Sequence, residues 1–187
     1  MAIRAEKRQL IMDTALQLFA EHGFESTSIE RIARQAGISV GLLYSYFKSK
    51  DDLLEQILLS GIQKLMDNYR MGSTMREFLD GVEQSLDMIL DNSEFFKLYS
   101  SLSMQPNVTP ILGKLSDVFV ARDNMVEMYK KYFGGKAVQE LLLMAVIMKG
   151  FPIIALYGDI QHVFPIDTLK GVVMDCFMGR DEGVIDR

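Results

Sequence analysis

The 187-residue chain has one cysteine, Cys176, and two histidines, His22 and His162. A lone cysteine closes no intramolecular disulfide, and nothing around it has metal-ligand spacing. A reducing, cytoplasmic setting is therefore expected. With so few histidines, no nucleophile–base pair, metal cluster or phosphate-binding glycine loop stands out, so neither an enzyme nor a metal nor any other cofactor is expected. Proline is scarce at 4 residues and glycine modest at 14, against 49% hydrophobic and 24% charged residues. That balance excludes collagen-like, disordered and low-complexity chains, and describes a globular one able to bury a sizeable core. Long hydrophobic runs are missing as well. The most apolar stretch, Leu141 to Met148, is closed by Lys149 and Pro152, which predicts a buried helix segment too short to span a bilayer and no membrane partner. The N-terminus carries charge at Arg4, Glu6, Lys7 and Arg8, where a secretion signal would be apolar, so secretion is not expected and the sequon Asn107-Val108-Thr109 is chance.

Sustained strand-like alternation is also missing, and helical periodicity takes its place, so the expected fold is all-α. Ile11, Ala15, Leu18 and Phe19 recur at helical spacing and stop before Gly23. Thr27 or Ser28 can cap the next helix, with Glu30 completing a capping box from Thr27, and Ile29, Ile32, Ala33 and Ala36 form its core face up to Gly37. Ser39 is placed to cap a short third helix whose Leu43 and Phe47 make an i, i+4 apolar pair, with Ile38 leading in. Phe24 and Ile38 read as core. Ser49 caps a long fourth helix running to about Met71-Gly72, with Asp51 and Asp52 in its first turn. Further helices are expected at about 74–91, 93–104, 111–133, 136–157 and 167–178, with a loop around Pro106 and Pro110 and a stop at Gly134-Gly135.

The net charge of −5 speaks against a nucleic-acid partner, but it is unevenly spread. Residues 1–50 hold seven Lys/Arg against five acids, a balance of +2, which leaves −7 for the remainder. A division into residues 1–50 and 51–187 with different partners is expected. The three short helices between Arg8 and Phe47 outline a helix-turn-helix, in which a second helix anchored from behind lays its other face in the major groove of duplex DNA. Leu43 and Phe47 can anchor it, leaving Val40, Gly41, Leu42, Tyr44, Ser45 and Tyr46 outward. Gly41 lets backbone approach closely, tyrosine hydroxyls reach phosphates or base edges, and Val40 or Leu42 can touch thymine methyls. Lys50 adds charge at a helix start, where phosphate is already favoured. Arg31 and Arg34 could touch phosphate but read more simply as solvated.

The runs Phe19-Ala20-Glu21-His22-Gly23-Phe24-Glu25-Ser26-Thr27-Ser28-Ile29, Ile32-Ala33-Arg34-Gln35-Ala36-Gly37-Ile38-Ser39 and Gly41-Leu42-Leu43-Tyr44-Ser45-Tyr46-Phe47-Lys48-Ser49-Lys50-Asp51-Asp52-Leu53 resemble the N-terminal signature of the tetracycline-repressor (TetR) family over roughly residues 8–58. The resemblance implies a dimeric transcriptional regulator, usually a repressor, whose N-terminal domain reads a palindromic operator and whose helical C-terminal domain binds a small effector that releases DNA. By matched position it implies DNA contacts from Thr27, Ser28, Ser39, Val40, Gly41, Leu42, Tyr44, Tyr46 and Lys50. Tyr46 stands where the family most often has His, so base preference does not carry over.

Beyond residue 60 composition carries the reading. Eleven of the 13 methionines lie there, among many Phe and Tyr. Flexible, polarisable Met suits adaptable apolar pockets, so a lipophilic small-molecule effector is expected, although each Met taken singly reads as core. The acids Glu83, Asp87, Glu94, Asp117, Asp123 and Glu127 could favour a cationic ligand but read chiefly as solvated. The segment 136–157 is apolar almost all round, and with Leu169, Val172, Val173, Cys176 and Phe177 it is expected to bury one side against a second copy of the chain. The competing reading is a helical protein-interaction adaptor without sequence-specific DNA binding.

Overall fold

Glycine and serine punctuate the first fifty residues and thereby decide where its helices stop and restart. The computed structural model describes residues 2–68, 74–103, 105, 127, 130, 131, 133–157 and 165–178. Among these the regular structure is helical throughout. Helix α1 (Ala2–His22) turns Ile11, Met12, Ala15, Leu18 and Phe19 inward. It ends where the Gly23 N–H donates to the Phe19 carbonyl at 2.9 Å, and Gly23 takes φ 83°, a region that costs other residues the clash of a Cβ. Phe24 then folds back edge-on against Phe19, ring centroids 5.1 Å apart.

Helix α2 (Ile29–Gln35) is capped by Ser28, whose hydroxyl accepts from the Arg31 N–H at 3.2 Å. Of the two candidate caps Ser28 is the one used, and the expected capping box from Thr27 does not form. The Glu30 backbone N–H and the Ser28 hydroxyl instead hold the Glu30 carboxyl below its ordinary range. The helix closes in a Schellman turn: the Gly37 N–H donates to Arg34 and the Ile38 N–H to Ala33, with Gly37 at φ 67°. Helix α3 (Val40–Tyr44) follows after two residues. Helix α4 (Lys50–Asn68) starts with reciprocal caps, the Ser49 hydroxyl accepting from the Asp52 N–H at 3.0 Å and the Asp52 carboxylate from the Lys48 N–H at 2.7 Å. At 1.5 Å per residue its 19 residues run about 28 Å. The expected end at Met71-Gly72 lies outside the described residues.

Helices α5 (Met75–Asp91) and α6 (Ser93–Leu102) follow. The first opens on the capping box Thr74/Glu77, whose two hydrogen bonds are 3.2 Å each. A short 3-10 turn at Gly134–Lys136 leads into α7 (Ala137–Tyr157), and α8 (Ile166–Met178) ends the described chain. Of the helix expected at 111–133, only Glu127, Lys130, Lys131 and Phe133 are described, and these are helical. The loop with Pro106, Asn107 and Pro110 lies outside.

The chain forms two compact units, residues 1–66 with 94–115, and residues 67–93 with 116–187. In the first, α1, α2 and α3 close over Phe19, Ile32, Leu43 and Phe47, and α4 adds Leu53, Leu54, Ile57, Leu58 and Ile62 to the buried set. In the second, α5 packs on α7 and α8. Its core joins Phe78, Val82, Phe133 and Phe177, the Phe78 ring standing edge-on to Phe133 at 5.4 Å and to Phe177 at 5.8 Å.

Helix α7 corrects one expectation. The apolar run Leu141–Met148 was expected to be too short to span a bilayer, but within the helix, which runs through Lys149 and Pro152 as its expected extent of 136–157 requires, Val138–Leu156 is long and apolar enough by composition to cross a membrane, with mean hydropathy 1.7. In this fold part of that surface packs on α5 and α8, with Leu143, Met144 and Ile147 turned to the phenylalanine core.

Candidate nucleic-acid interface

A helix of five residues has little stability of its own, so α3 must be held by its cap and by what lies behind it. The Ser39 hydroxyl accepts from the Leu42 N–H at 3.1 Å. Leu43 and Phe47 are fully buried behind the helix, and the Tyr46 and Phe47 N–H groups both donate to the Leu43 carbonyl, at 2.9 and 3.1 Å. The two expected anchors thus fix the helix while the other face stays accessible: Ser39, Gly41, Tyr44 and Ser45 are exposed, and Val40, Leu42 and Tyr46 half-buried. Tyr44 is 50% exposed despite its apolar ring. Gly41 needs no special backbone here, and a Cβ added to it would meet no atom within 4 Å. Its missing side chain leaves room on the outside of the molecule.

Thr27 faces the other way. It is completely buried, and its hydroxyl donates to the Gly23 carbonyl at 2.8 Å and the Leu18 carbonyl at 3.3 Å, latching the start of α2 under the end of α1. Ser28 is exposed beside it. Lys50 is also engaged: its ammonium donates to the Phe24 carbonyl at 3.0 Å and to Glu25 at 3.4 Å, and lies 4.3 Å from the centre of the Phe24 ring. In the free protein it clasps the first turn of α4 to the turn between α1 and α2. Arg34 is exposed, while Arg31 meets His22 at 2.6 Å. Ile38 is only half-buried, whereas Phe24 is core.

Two arginines of α1 that were not singled out in the sequence lie beside the α3 region. Arg8 donates to Gln56 of α4 at 2.8 Å and stacks over Phe47 at 5.2 Å, and Arg4 lies over the Tyr46 ring at 5.7 Å. Partners 48 positions apart, as Arg8 and Gln56 are, leave no local signature.

In the second unit the expected pocket residues Met75, Met144 and Met174 pack around Phe78, Phe133 and Phe177. Burial pushes the Tyr99 hydroxyl of α6 above its ordinary pKa, and its ring stacks on Phe95. Glu83, Asp87, Glu94 and Glu127 are exposed; Asp87 pairs with Lys170 and Glu127 with Lys130. Asp117 and Asp123 lie outside the described residues. On α7 the residues Val138, Leu142 and Val146 form an i, i+4, i+8 stripe, each at least 60% exposed, and Val172 and Met178 of α8 are exposed as well. No group of three or more potential metal ligands occurs among the described residues.

Residues 11–57 match the family model described as bacterial regulatory proteins, tetR family. Over 52 residues the chain is 48% identical to the HTH-type transcriptional regulator AcrR of Shigella flexneri, covering 28% of this chain and 24% of that protein. It is 23% identical over 125 residues to the fatty acid metabolism regulator protein of Bacillus subtilis, covering 65% and 64%. The matches thus span less than two thirds of these relatives. A transcriptional regulator from Rhodococcus sp. RHA1 superposes with a TM-score of 0.74 at 20% identity, covering 92% of this chain and 94% of that one, and so shares its fold.

Proposed function

Because the chain belongs, through residues 11–57, to the tetR family of bacterial regulatory proteins, we propose that it is a transcriptional repressor that binds a palindromic operator as a homodimer and lets go when a small lipophilic effector binds. Residues 1–50 are the reader in this scheme and residues 51–187 the effector and dimer part. The observation that carries the reading is α3: a five-residue helix capped by Ser39, anchored by buried Leu43 and Phe47, with Gly41 and Tyr44 open to a partner. In the reader, Ser39, Val40, Gly41, Leu42 and Tyr44 face base edges or nearby phosphates, Ser28 and Lys50 hold phosphates, and Tyr46 borders the interface. Thr27 supports them from behind through its carbonyl latch. To touch a phosphate itself Thr27 would have to turn outward, and Lys50 would have to reach past the Phe24 carbonyl.

The exposed stripe on α7 supports the dimer. Leaving Val138, Leu142 and Val146 in water is costly, and a second copy across a twofold axis would bury them. Two α3 helices held about 34–36 Å apart would then meet successive major grooves on one side of the duplex, which requires a near-palindromic site. The Met- and Phe-lined core of the second unit, and a relative whose name concerns fatty acid metabolism, support an effector with a long apolar chain. Such a regulator works where the chromosome is, in the cytoplasm.

The test is selection of binding sites from a random duplex library, followed by titration of the recovered site with fatty acids and acyl thioesters. A recovered palindrome from which saturating acyl compound displaces the protein supports the reading. Recovery of no preferred sequence would remove the DNA-reading function. An operator affinity unmoved by acyl compounds would remove the effector class.

A further inference from the structure

Tyr46 leaves α3 with its backbone pinned, its N–H and that of Phe47 sharing the Leu43 carbonyl. Its ring therefore projects from a backbone held by the recognition helix. Over that ring lies Arg4, from the first turn of α1 and ahead of the family-matched segment, its guanidinium carbon 5.7 Å from the centroid. A guanidinium at this range is held by the electron-rich face of the ring, while its N–H edges remain free to point outward. Those edges match two oxygens of one phosphate.

The helix itself gives no reason for the charge. Cations near a helix N-terminus oppose the macrodipole, and the first turn of α1 has no acid to balance them. Arg4 is exposed, and among the described residues it has no carboxylate partner. A cation seated beside the recognition helix at a local electrostatic cost fits an external polyanion.

We propose that Arg4, seated on the ring of Tyr46, is a phosphate-binding residue of the DNA interface, and that Tyr46 acts there chiefly as its platform. This rests on the DNA-reading function proposed above. It extends the interface from α2, α3 and the start of α4 to the beginning of α1. It also gives a use to the tyrosine at a position where the family resemblance leads one to expect histidine. Arg4 would contribute affinity to any duplex and no base preference.

The experiment is fluorescence anisotropy with a labelled mixed-sequence duplex and with the selected operator, each titrated over a range of salt concentrations. For Arg4→Ala the slope of log affinity against log salt should flatten by about 0.9 per protomer, equally on both duplexes, with melting temperature unchanged. Tyr46→Phe, which keeps the platform, should retain the wild-type slope. Tyr46→Ala should flatten it, and adding Arg4→Ala to that variant should flatten it no further. A wild-type protein that binds duplex while Arg4→Ala keeps the full slope overturns the assignment of Arg4 alone. A wild-type protein that binds neither duplex overturns the DNA-reading function, and this inference falls with it.

Discussion

Replacing Gly41 by alanine should separate the needs of the fold from those of the site. Gly41 is exposed in the first turn of α3, its backbone lies outside the positive-φ region, and an added Cβ has no neighbour within 4 Å. Nothing inside the molecule requires glycine. Alanine in place of glycine within a helix is favoured by up to about 1 kcal/mol, and near the end of a short helix about half of that is reasonable. For a protein of this size 1 kcal/mol moves the melting temperature by roughly 2–4 °C, so Gly41→Ala should melt about 1–2 °C higher than the wild type. DNA binding should move the other way. A methyl group on the groove side holds the backbone off the bases, and loss of one good base contact costs about 1–3 kcal/mol, which makes roughly a five- to 150-fold loss of operator affinity. Differential scanning fluorimetry and operator titration read the two effects. A lower melting temperature would refute the argument from open space, and an undiminished operator affinity would refute the argument from close approach.

Gly61 is the opposite case, because a Cβ there would lie 2.1–2.9 Å from three ring atoms of buried Phe95. Gly61→Ala should lose about 1–3 kcal/mol to overpacking, partly offset by helix propensity, and Phe95→Leu in the same chain should recover much of it in urea unfolding. Phe78→Ala should cost about 3–5 kcal/mol in the same assay, since Phe78 touches both Phe133 and Phe177 in the second core. Leu142→Glu together with Val146→Glu should leave a folded monomer by sedimentation and abolish operator binding; a double variant that still sediments as a dimer would move the interface elsewhere. Hydrogen bonding to Asp87 raises the Lys170 pKa above its ordinary value, with further support from Glu83 and Asp167. A raised pKa in the folded state means that the pair's stabilisation is complete below the unfolded lysine value and is lost as pH rises through the folded one. Asp87→Asn should therefore lower stability at neutral pH by less than about 1 kcal/mol, the pair being partly exposed, and remove that part of the alkaline decline.

What was legible in the sequence was what neighbouring residues decide among themselves. The caps at Ser39 and Ser49, the stops at Gly23 and Gly37, and the apolar spacing behind them place the helix boundaries to within a residue or two. The anchors Leu43 and Phe47 followed from an i, i+4 spacing. What escaped depended on the tertiary fold. Thr27 and Ser28 have near-equal claims as caps in isolation, and only the nearness of the Leu18 and Gly23 carbonyls turns Thr27 inward. Arg8 meets Gln56 across 48 positions, and Arg4 meets Tyr46 across most of the reader. The burial of Phe151, Pro152 and Ala155 on α7, while Lys149 stays in water, likewise depends on its surroundings.

Those long-range ties bear on how an effector in the helical part could reach the DNA. A ligand moves an equilibrium only by the difference in its affinity for two conformations, so the recognition helix must belong to whatever body the ligand favours. Within the first unit α4 is tied to the reader twice near its start, by Lys50 on the Phe24 and Glu25 carbonyls and by Gln56 on Arg8. Arg8 in turn lies over Phe47, the anchor immediately behind α3. Further along, Gly61 lets α4 lie directly against Phe95 of α6. In the proposed scheme a displacement of α6 would be passed through Gly61 to α4, and through Lys50 and Arg8 to the reader. Contact with DNA would compete for Lys50, since a phosphate and the Phe24 carbonyl seek the same ammonium protons. Under the proposed function, the residue that strengthens DNA binding would then also be the one that, when released from phosphate, secures the reader to α4. This reciprocity requires that Lys50→Ala weaken both DNA affinity and the effector's power to change it, whereas a plain phosphate contact would lose only the first.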